Sequence, residues 1–86
     1  MISREFQVKN RSGLHARPCY HFVKCAMRFK SNIAVLKDGC TVDAKSIMAM
    51  ICTALVYGEW VKITAEGEDE REAVEELGRM MEQEGE

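Results

Sequence analysis

The sequence lacks a hydrophobic run long enough to cross a membrane. No apolar stretch approaches the roughly 20 residues that a transmembrane helix needs, so no membrane association is expected. The opening residues Met1-Ile2-Ser3-Arg4-Glu5 lead into no hydrophobic region of a secretory signal, which predicts a cytoplasmic location. The chain also lacks a glycine-rich nucleotide loop, which argues against an enzyme that uses ATP or GTP by itself.

The sequence also lacks the cysteine and histidine spacings that are typical of metal-binding sites. The four cysteines Cys19, Cys25, Cys40 and Cys52 form no C-x-x-C pair, and no histidine lies at zinc-finger spacing from them. We therefore expect no metal and no cofactor. In a reducing compartment free cysteine behaves as a small hydrophobic residue, so most of the four are expected to be buried. Cys19, close to His15, is the one that we expect to make that region sensitive to oxidation.

The charges are unevenly distributed along the chain. Residues 1–65 carry ten Lys or Arg and four Asp or Glu, whereas residues 66–86 carry two and ten. The acidic end is typical of a solvated helix face. The basic part has no recognition-helix motif and no interleaved aromatic residues, which argues against nucleic-acid binding. It favours docking of acidic protein partners, because complementary charge raises encounter rates.

The 86 residues, of which 47% are hydrophobic and 30% charged, predict a single globular domain over 1–86. Alternating or β-rich segments predict strands over residues 2–9, 33–36, 40–42 and 60–65, with Arg4 suggesting an edge strand or a strand end. Asp38-Gly39 predicts a hairpin turn. Helical periodicity predicts a first helix over residues 16–28, a short one over 47–52, and a third after an acidic first turn at 68–70. The order β-α-β-β-α-β-α predicts a two-layer α+β domain whose antiparallel sheet is covered by helices on one face.

Two helices show clear apolar stripes. The residues predicted to face the core are Cys19, Phe22, Val23, Ala26 and Met27 in the first helix, and Ala73, Val74, Leu77, Met80 and Met81 in the third. The opposite side of the first helix is basic, with Arg17, His21, Lys24 and Arg28. Gly78 lies inside the third helix, where glycine costs about 1 kcal/mol relative to alanine, which suggests close packing at that point.

The segment 12–18, Ser-Gly-Leu-His-Ala-Arg-Pro, places a histidine at the start of a helix. Proline is tolerated in a helix only in its first turn, so Pro18 places His15 at or next to the N-cap. Free N–H groups and the positive end of the helix dipole favour an anion there, and should lower the pKa of an imidazole. A neutral imidazole facing an anion site can accept a phosphoryl group. The alternative is an ordinary strand-to-helix turn.

Ser46 precedes the apolar run at 47–52 and is predicted to be the N-cap of the second helix. So short a helix cannot bury all its apolar side chains, and we expect some of them, Ile47 and Met48 among the candidates, to be exposed near His15. Since isolated exposed apolar residues are common on any surface, this supports a docking site only weakly.

The segment 13–18 resembles the active-site signature of HPr, the histidine phosphocarrier family of the bacterial phosphoenolpyruvate:sugar phosphotransferase system. Lys45-Ser46-Ile47-Met48 resembles the regulatory serine segment of that family, and the spacing between the two segments also matches. The resemblance runs from the first strand to the last helix and implies an open-faced β-sandwich with a four-stranded sheet and three helices.

The resemblance implies that enzyme I donates a phosphoryl group to His15, which passes it to the A domain of an enzyme II. Arg17 and the amides that open the first helix, including that of Ala16, would hold the phosphoryl oxygens. Ser46 would be the target of a dedicated kinase, the HPr kinase/phosphorylase. Tyr20, Lys24, Ile47 and Met48 are the expected docking residues, Tyr20 standing where the family usually has a small residue.

Two alternatives stay open at this point. One is a regulatory member of the same family in a nitrogen-type phosphotransfer relay, and the other is a non-catalytic interaction module that binds a transcription regulator or an enzyme. In each case we expect a monomer, with no activity of its own in the absence of partner proteins. Ala49, Thr53 and Ala54 differ from the glycine, leucine and glycine of many HPr proteins.

Overall fold

The computed structural model describes residues 1–9, 16–53 and 55–82, with the backbone alone for residues 16–18. These residues form β1 (Ile2–Gln7), α1 (Ala16–Ala26), β2 (Asn32–Lys37), β3 (Cys40–Asp43), α2 (Ile47–Thr53), β4 (Trp60–Glu66) and α3 (Glu70–Met81). The strands pair in the order β1-β4-β2-β3, and every pair is antiparallel. The predicted α+β order is therefore confirmed.

The sheet has one covered and one open face. Side chains alternate along β4, where Val61 and Ile63 are buried while Trp60 and Lys62 are exposed. The helices pack on the buried side, which gives the two predicted layers. Arg4 lies in β1, which pairs only with β4, so its predicted place on an edge strand is confirmed.

The hairpin between β2 and β3 turns at the predicted dipeptide. Asp38 and Gly39 have φ values of 51° and 81°, and a two-residue type I′ turn requires positive φ at both central positions. The turn places β3 at the other edge of the sheet, and β3 leads directly to the segment that carries Ser46.

The buried side of α1 differs from the prediction at one end. Cys19, Phe22, Val23 and Ala26 are buried as expected, but Met27 is 61% exposed, and the prediction that it faces the core is wrong. The helix ends at Ala26, earlier than residue 28. Cys25 is buried in addition, because α3 packs beside α1. In α3 the predicted stripe is buried except for Met80, which is half-buried.

The cysteines divide evenly between core and surface. Cys19 and Cys25 are buried, whereas Cys40 and Cys52 are exposed, so the expectation that most of them are buried is wrong. None of the four is part of a disulfide. Among the described residues no three His, Cys, Asp or Glu side chains lie close enough together to hold a metal ion. None of the helices in the described ranges combines the length and the hydrophobicity needed to span a bilayer.

Gly78 allows α3 to lie directly on β1. A Cβ atom at this position would overlap the ring of Phe6, whose Cζ, Cε1 and Cε2 atoms face the glycine. Phe6 is half-buried and packs against the hydrophobic core. The close packing predicted from the cost of a glycine inside a helix is thus confirmed.

Asp69 joins the start of α3 to the segment between α1 and β2. Its carboxylate accepts hydrogen bonds from the backbone N–H groups of Lys30 (2.9 Å) and Ser31 (3.0 Å), and from the Ser31 hydroxyl (2.5 Å). Ser31 is 1% exposed. The Ser31 hydroxyl, followed by the Lys30 amide, lowers the pKa of the Asp69 carboxyl. The ionised carboxylate therefore stabilises the folded state.

Replacing Asp69 by asparagine is expected to lower the urea midpoint of unfolding at pH 7, because asparagine has one uncharged acceptor oxygen where the carboxylate accepts these three bonds on two charged oxygens. The pKa of Asp69 is lower in the folded state than in the unfolded state. The stabilisation by its carboxylate is therefore complete above the unfolded-state pKa, near pH 4, and is lost as the pH falls through the folded-state pKa. The difference between the two chains should therefore be smaller at about pH 2 than at pH 7. Glu68→Gln, at an exposed neighbouring position, is the control. An Asp69→Asn difference that does not change with pH would contradict this role.

Candidate functional site

The first helix begins at Ala16, as the sequence predicts. His15 lies outside the described residues, as do the side chains of Ala16 and Arg17. The first side chains of α1 that the structure describes are those of Cys19, which is buried, and Tyr20, which is 51% exposed. The position predicted for His15 is thus followed directly by a helix with one buried and one solvent-facing side.

Tyr20 and Lys24 form a unit on the exposed side of α1. The ammonium group of Lys24 lies 5.7 Å from the centroid of the Tyr20 ring, within the range of a cation–π contact. The edge of the Tyr20 ring also meets His21, at 5.7 Å between centroids. These contacts fix an aromatic side chain on the surface beside a cation, which is a composition common in protein-binding surfaces.

Cys19 lies on the opposite side of α1 and has no exposed surface. Burial raises the pKa of the Cys19 thiol, which reduces the fraction of reactive thiolate. The environment of Cys19 therefore argues against the predicted sensitivity to oxidation.

Ser46 is the N-cap of α2. Its hydroxyl oxygen accepts a hydrogen bond from the Ala49 N–H at 3.2 Å, and its carbonyl oxygen accepts one from the Met50 N–H at 3.0 Å. The predicted cap is confirmed, and the Ser46 side chain is half-buried. The neighbouring Lys45 turns away to donate to the Phe29 carbonyl at 2.8 Å.

The second helix is anchored in the core by one buried side chain, and some of its other side chains are exposed. Met50 is completely buried, while Met48 is 68% and Ile51 41% exposed. Ile47 is half-buried and packs against the core, so its side chain is only partly available to a partner. Since α1 and α2 pack against each other, we define the α1–α2 surface as Tyr20, Lys24, Met48 and Ile51.

The segment after α2 adds apolar residues that the sequence reasoning missed. Val56 and Tyr57 are 52% and 59% exposed. The sequence did contain an indication that these side chains are exposed. Two large apolar residues stand next to the turn at Gly58, and a tightly turning backbone leaves little room to bury both. Ala54 lies outside the described residues.

Lys37 and Glu59 fix both ends of this segment. The Lys37 ammonium group lies 2.9 Å from the Glu59 carboxylate and donates to the carbonyl of Thr53, the last residue of α2, at 3.2 Å. Glu59 also accepts from the Val56 N–H at 2.9 Å. The Val56 N–H and the Lys37 ammonium lower the pKa of Glu59, so the carboxylate that holds the segment stays ionised at neutral pH.

A family model described as "PTS HPr component phosphorylation site" matches residues 2–83. The chain belongs to the HPr family. The phosphotransferase-system phosphocarrier assignment made from segments 13–18 and 45–48 is thereby confirmed at the level of the family. The family model covers both segments, whereas the roles of individual residues within them stay predictions.

Relatives in the HPr family cover nearly the whole chain. It is 42% identical over 84 residues to the HPr-like protein Crh of Bacillus subtilis, which covers 98% of this chain and 99% of Crh. It is also 42% identical over 77 residues to the phosphocarrier protein HPr of Haemophilus influenzae, covering 90% and 91% of the two chains. Both kinds of relative, HPr and Crh, therefore resemble this chain closely.

Solved structures of the family match the fold. An HPr crystal structure from Thermoanaerobacter tengcongensis superposes with a TM-score of 0.90 and 44% identity, over 95% of this chain and 92% of the other. A Bacillus subtilis Crh crystal structure gives a TM-score of 0.78 and 41% identity, over 99% and 98% of the chains, and is described as a dimer with a swapping domain. These neighbours confirm the open-faced sandwich of the HPr family.

Proposed function

We propose that this chain carries a phosphoryl group on His15, received from phosphorylated enzyme I and passed to the A domain of an enzyme II. The observation that carries the proposal is the match to a phosphorylation-site family model over residues 2–83 in a chain with two histidines. His21 lies in the second turn of α1 with its ring against Tyr20. His15 directly precedes the first residue of α1, where N–H donors without an intrahelical partner favour an anion.

The transfer needs only a neutral imidazole and a bound donor. The Nδ1 lone pair of His15 attacks phosphorus in line, a P–N bond forms, and the bond from phosphorus to the donor breaks with its electron pair staying on the donor. The same exchange in reverse order delivers the group to the acceptor. Because the group must be handed on, the helix amides and Arg17 should stabilise the transfer state more than the phosphorylated product.

The test is incubation of the chain with enzyme I, Mg²⁺ and phosphoenolpyruvate. We expect one phosphate per chain, with the stability of a phosphoramidate: labile in acid and stable in base. Addition of an enzyme II A domain should then remove it. An unlabelled chain, or a label that survives acid, would contradict the proposal.

Arg17 is proposed to hold the phosphoryl oxygens from the first turn of α1. The Arg17→Ala chain should still take up the label but deliver it to the enzyme II A domain on the order of tenfold or more slowly, because a charge-assisted contact to the transferring group is lost. Rapid-quench kinetics of single-turnover delivery measures this rate. Lys24→Ala, two turns further along the same basic side of α1, is a matched cation control for this chemical step when the partner protein is saturating. Equal rates for Arg17→Ala and the unaltered chain would exclude the role.

A second candidate function is regulation, favoured by the 42% identity to the HPr-like protein Crh. We propose Ser46 as its phosphorylation site, with the HPr kinase/phosphorylase and a transcription regulator as partners. A phosphate on the N-cap of α2 is electrostatically compatible with the helix, and it places nearly two negative charges at the edge of the α1–α2 surface. Acidic partners that bind there would be repelled.

Ser46→Asp is therefore expected to raise the KM of enzyme I for this chain about tenfold or more, with little change in its melting temperature. Ser46→Asn, which keeps a capping oxygen but adds no charge, is the control. Label uptake at varied chain concentration measures the effect. An unchanged KM in Ser46→Asp would remove the proposed regulation.

Docking partners are proposed to bind the α1–α2 surface, where Lys24 supplies positive charge and Tyr20, Met48 and Ile51 supply apolar area. Location in the cytoplasm stays a prediction. The prediction of a monomer is weakened, since a Crh structure from Bacillus subtilis and an HPr structure from Thermoanaerobacter tengcongensis are described as dimers. A nitrogen-type relay stays the alternative for the chain's pathway, and the identity of the enzyme II A domain that accepts the label would distinguish the two.

A further inference from the structure

The open face of the sheet carries an exposed tryptophan at one end. Trp60, the first residue of β4, is 60% exposed and lies opposite Gln7 of the edge strand β1. Its neighbour Val61 is buried against the helices, so the indole lies on the other face. Tryptophan offers a large apolar area and is enriched among the residues that dominate binding at protein interfaces. The α1–α2 surface lies in the helical layer, so the proposed phosphotransfer makes no use of Trp60.

Two shallow depressions lie along this face. The first, of about 260 Å³, is next to Trp60 and has Leu36 and Lys62 among its lining residues. The second, of about 430 Å³, lies farther along β4, over the small side chains of Ala34 and Thr64. Since β4 is roughly 20 Å long, a ligand that fills both depressions is an extended one. This shape fits a segment of polypeptide better than a compact small molecule.

Carboxylates flank both depressions. They belong to Glu5 and Asp38 at the first, and to Asp43 and Glu66 at the second. The ion pairs among the described residues include none of these four side chains. Asp43 accepts one hydrogen bond, from the backbone N–H of Lys45 at 2.9 Å, which leaves its charge uncompensated. The negative charge of this face is therefore open to a partner.

The positive groups around the depressions do not balance these carboxylates. Most of them are engaged with groups outside the depressions: the Lys37 ammonium with Glu59 (2.9 Å), the Lys45 ammonium with the Phe29 carbonyl (2.8 Å), and the terminal amine of Met1 with Glu70 (3.4 Å). Lys62 is exposed and lies opposite Glu5. Within the described part of the chain, four carboxylates thus face a single ammonium group that has no such partner.

An exposed indole beside carboxylates suits an arginine side chain. A guanidinium group stacks on an aromatic face and also donates paired hydrogen bonds to a carboxylate. Trp60 and Glu5 line the same depression, so one arginine can reach both. An acidic polypeptide or a nucleic acid would be repelled by the excess of carboxylates.

We propose that the open face of the sheet docks a basic, extended segment of a partner protein. An arginine of that segment packs on Trp60, and further basic side chains lie beside Asp43 and Glu66. The helical layer attracts the opposite charge, because Lys24 is exposed on α1 and that helix contains no acidic residue. A partner on the sheet therefore leaves the α1–α2 surface accessible to a second, acidic partner.

The fluorescence of Trp60 reports directly on this face, because the chain has one tryptophan. The probe is a synthetic peptide of alternating arginine and threonine. At about 20 mM salt its addition should change the Trp60 emission saturably, and about 0.5 M salt should weaken binding on the order of tenfold. The same peptide with glutamate in place of arginine should leave the emission unchanged. A lysine version should bind about threefold or more weakly, because an ammonium group does not pair with a carboxylate in a bidentate way.

Calorimetric titration of variants locates the contact. Trp60→Ala should raise the dissociation constant of the arginine peptide on the order of tenfold. Glu5→Gln combined with Asp38→Asn should raise it about fivefold, whereas Lys62→Glu, which removes the competing cation, should lower it about threefold. Tyr57→Ala is the matched control, since Tyr57 is 59% exposed and lies outside both depressions, and it should leave the constant unchanged. Melting temperatures show that each variant is folded.

The exposed carboxylates of α3, such as Glu72 and Glu75, supply the contrary outcome. A peptide held by charge alone would bind there, with the same affinity for Trp60→Ala and with ¹H–¹⁵N amide shifts in α3 instead of β2 and β4. That result, or no saturable binding at low salt, would overturn the proposal.

One further measurement tests whether the two surfaces are separate, and it rests on the proposed function. Phosphate uptake from enzyme I should proceed at an unchanged rate with the peptide saturating, and a block of uptake would contradict the separation. The binding measurements use this chain and the peptide alone, so they test the docking whether or not His15 carries phosphate.

Discussion

Replacement of His15 by alanine is expected to abolish the acid-labile label completely. The chain has two histidines, and an alanine side chain offers no nitrogen to form the P–N bond. Because His15 precedes α1 and leaves the buried side of the helix intact, the variant should fold. The measurement is phosphate uptake from phosphoenolpyruvate through enzyme I, with the melting temperature recorded in parallel.

The matched control for this loss is His21→Ala. His21 is exposed on α1, six residues further along, and touches Tyr20 by a ring edge, so its removal tests for any general effect of losing an imidazole. We expect His21→Ala to be labelled to one phosphate per chain. Label on His15→Ala, or its loss from His21→Ala, would assign the phosphoryl group to the other histidine.

Replacement of Gly78 by valine is expected to destabilise the fold by about 2 kcal/mol or more. The added side chain overlaps the Phe6 ring, which is half-buried between α3 and β1 and must leave its place against the core. For a domain of this size such a change corresponds to a fall in melting temperature of roughly 8–16 °C. Thermal unfolding followed by circular dichroism measures it.

Two further variants separate the overlap from effects on the helix alone. Glu75→Val, exposed on the same helix, gives the cost of a β-branched residue without the overlap and should lower stability by less than about 1 kcal/mol. Gly78→Val combined with Phe6→Ala should be less destabilising than the sum of the two single changes, because the ring that causes the overlap is gone. A Gly78→Val chain as stable as the unaltered one would show that the glycine is not required there.

Much of the fold could be predicted because local signals agree with the global arrangement. Pro18 allowed only a helix start at this point, Asp38-Gly39 suited a two-residue turn, and Ser46 suited an N-cap. Alternation along β4 predicted one covered and one open face of the sheet. Each of these signals depends on neighbours within a few residues, and the sequence displays them directly.

The errors concern burial that is decided by distant neighbours. Periodicity placed Met27 in the apolar stripe of α1, but α1 ends before it, which leaves the side chain at the surface. Cys25 is buried because α3 packs beside it, and nothing near residue 25 in the sequence shows this. Cys40 and Cys52 have the same side chain as the two buried cysteines and yet are exposed, because burial depends on how distant elements pack and not on the residue type alone.

The candidate site was predicted in part. The sequence placed Lys24 on the solvent side and gave Ile47 and Met48 as candidates for exposure, of which Met48 is exposed and Ile47 half-buried. The Tyr20–Lys24 contact and the outward-facing Val56 and Tyr57 became visible only in the fold. The Lys37–Glu59 pair joins residues 22 positions apart, so no local pattern could show it. His15 itself was singled out by its sequence context, and its role stays a prediction.

The most direct test of the account is long-range ¹H–¹⁵N NMR of the two imidazole rings before phosphorylation, after it, and after addition of an enzyme II A domain. The account predicts that the Nδ1 resonance of His15 shifts when the chain gains one phosphate and returns when the acceptor removes it, while the His21 ring stays unchanged. A phosphate-bearing chain in which the His15 resonances have not moved would contradict it.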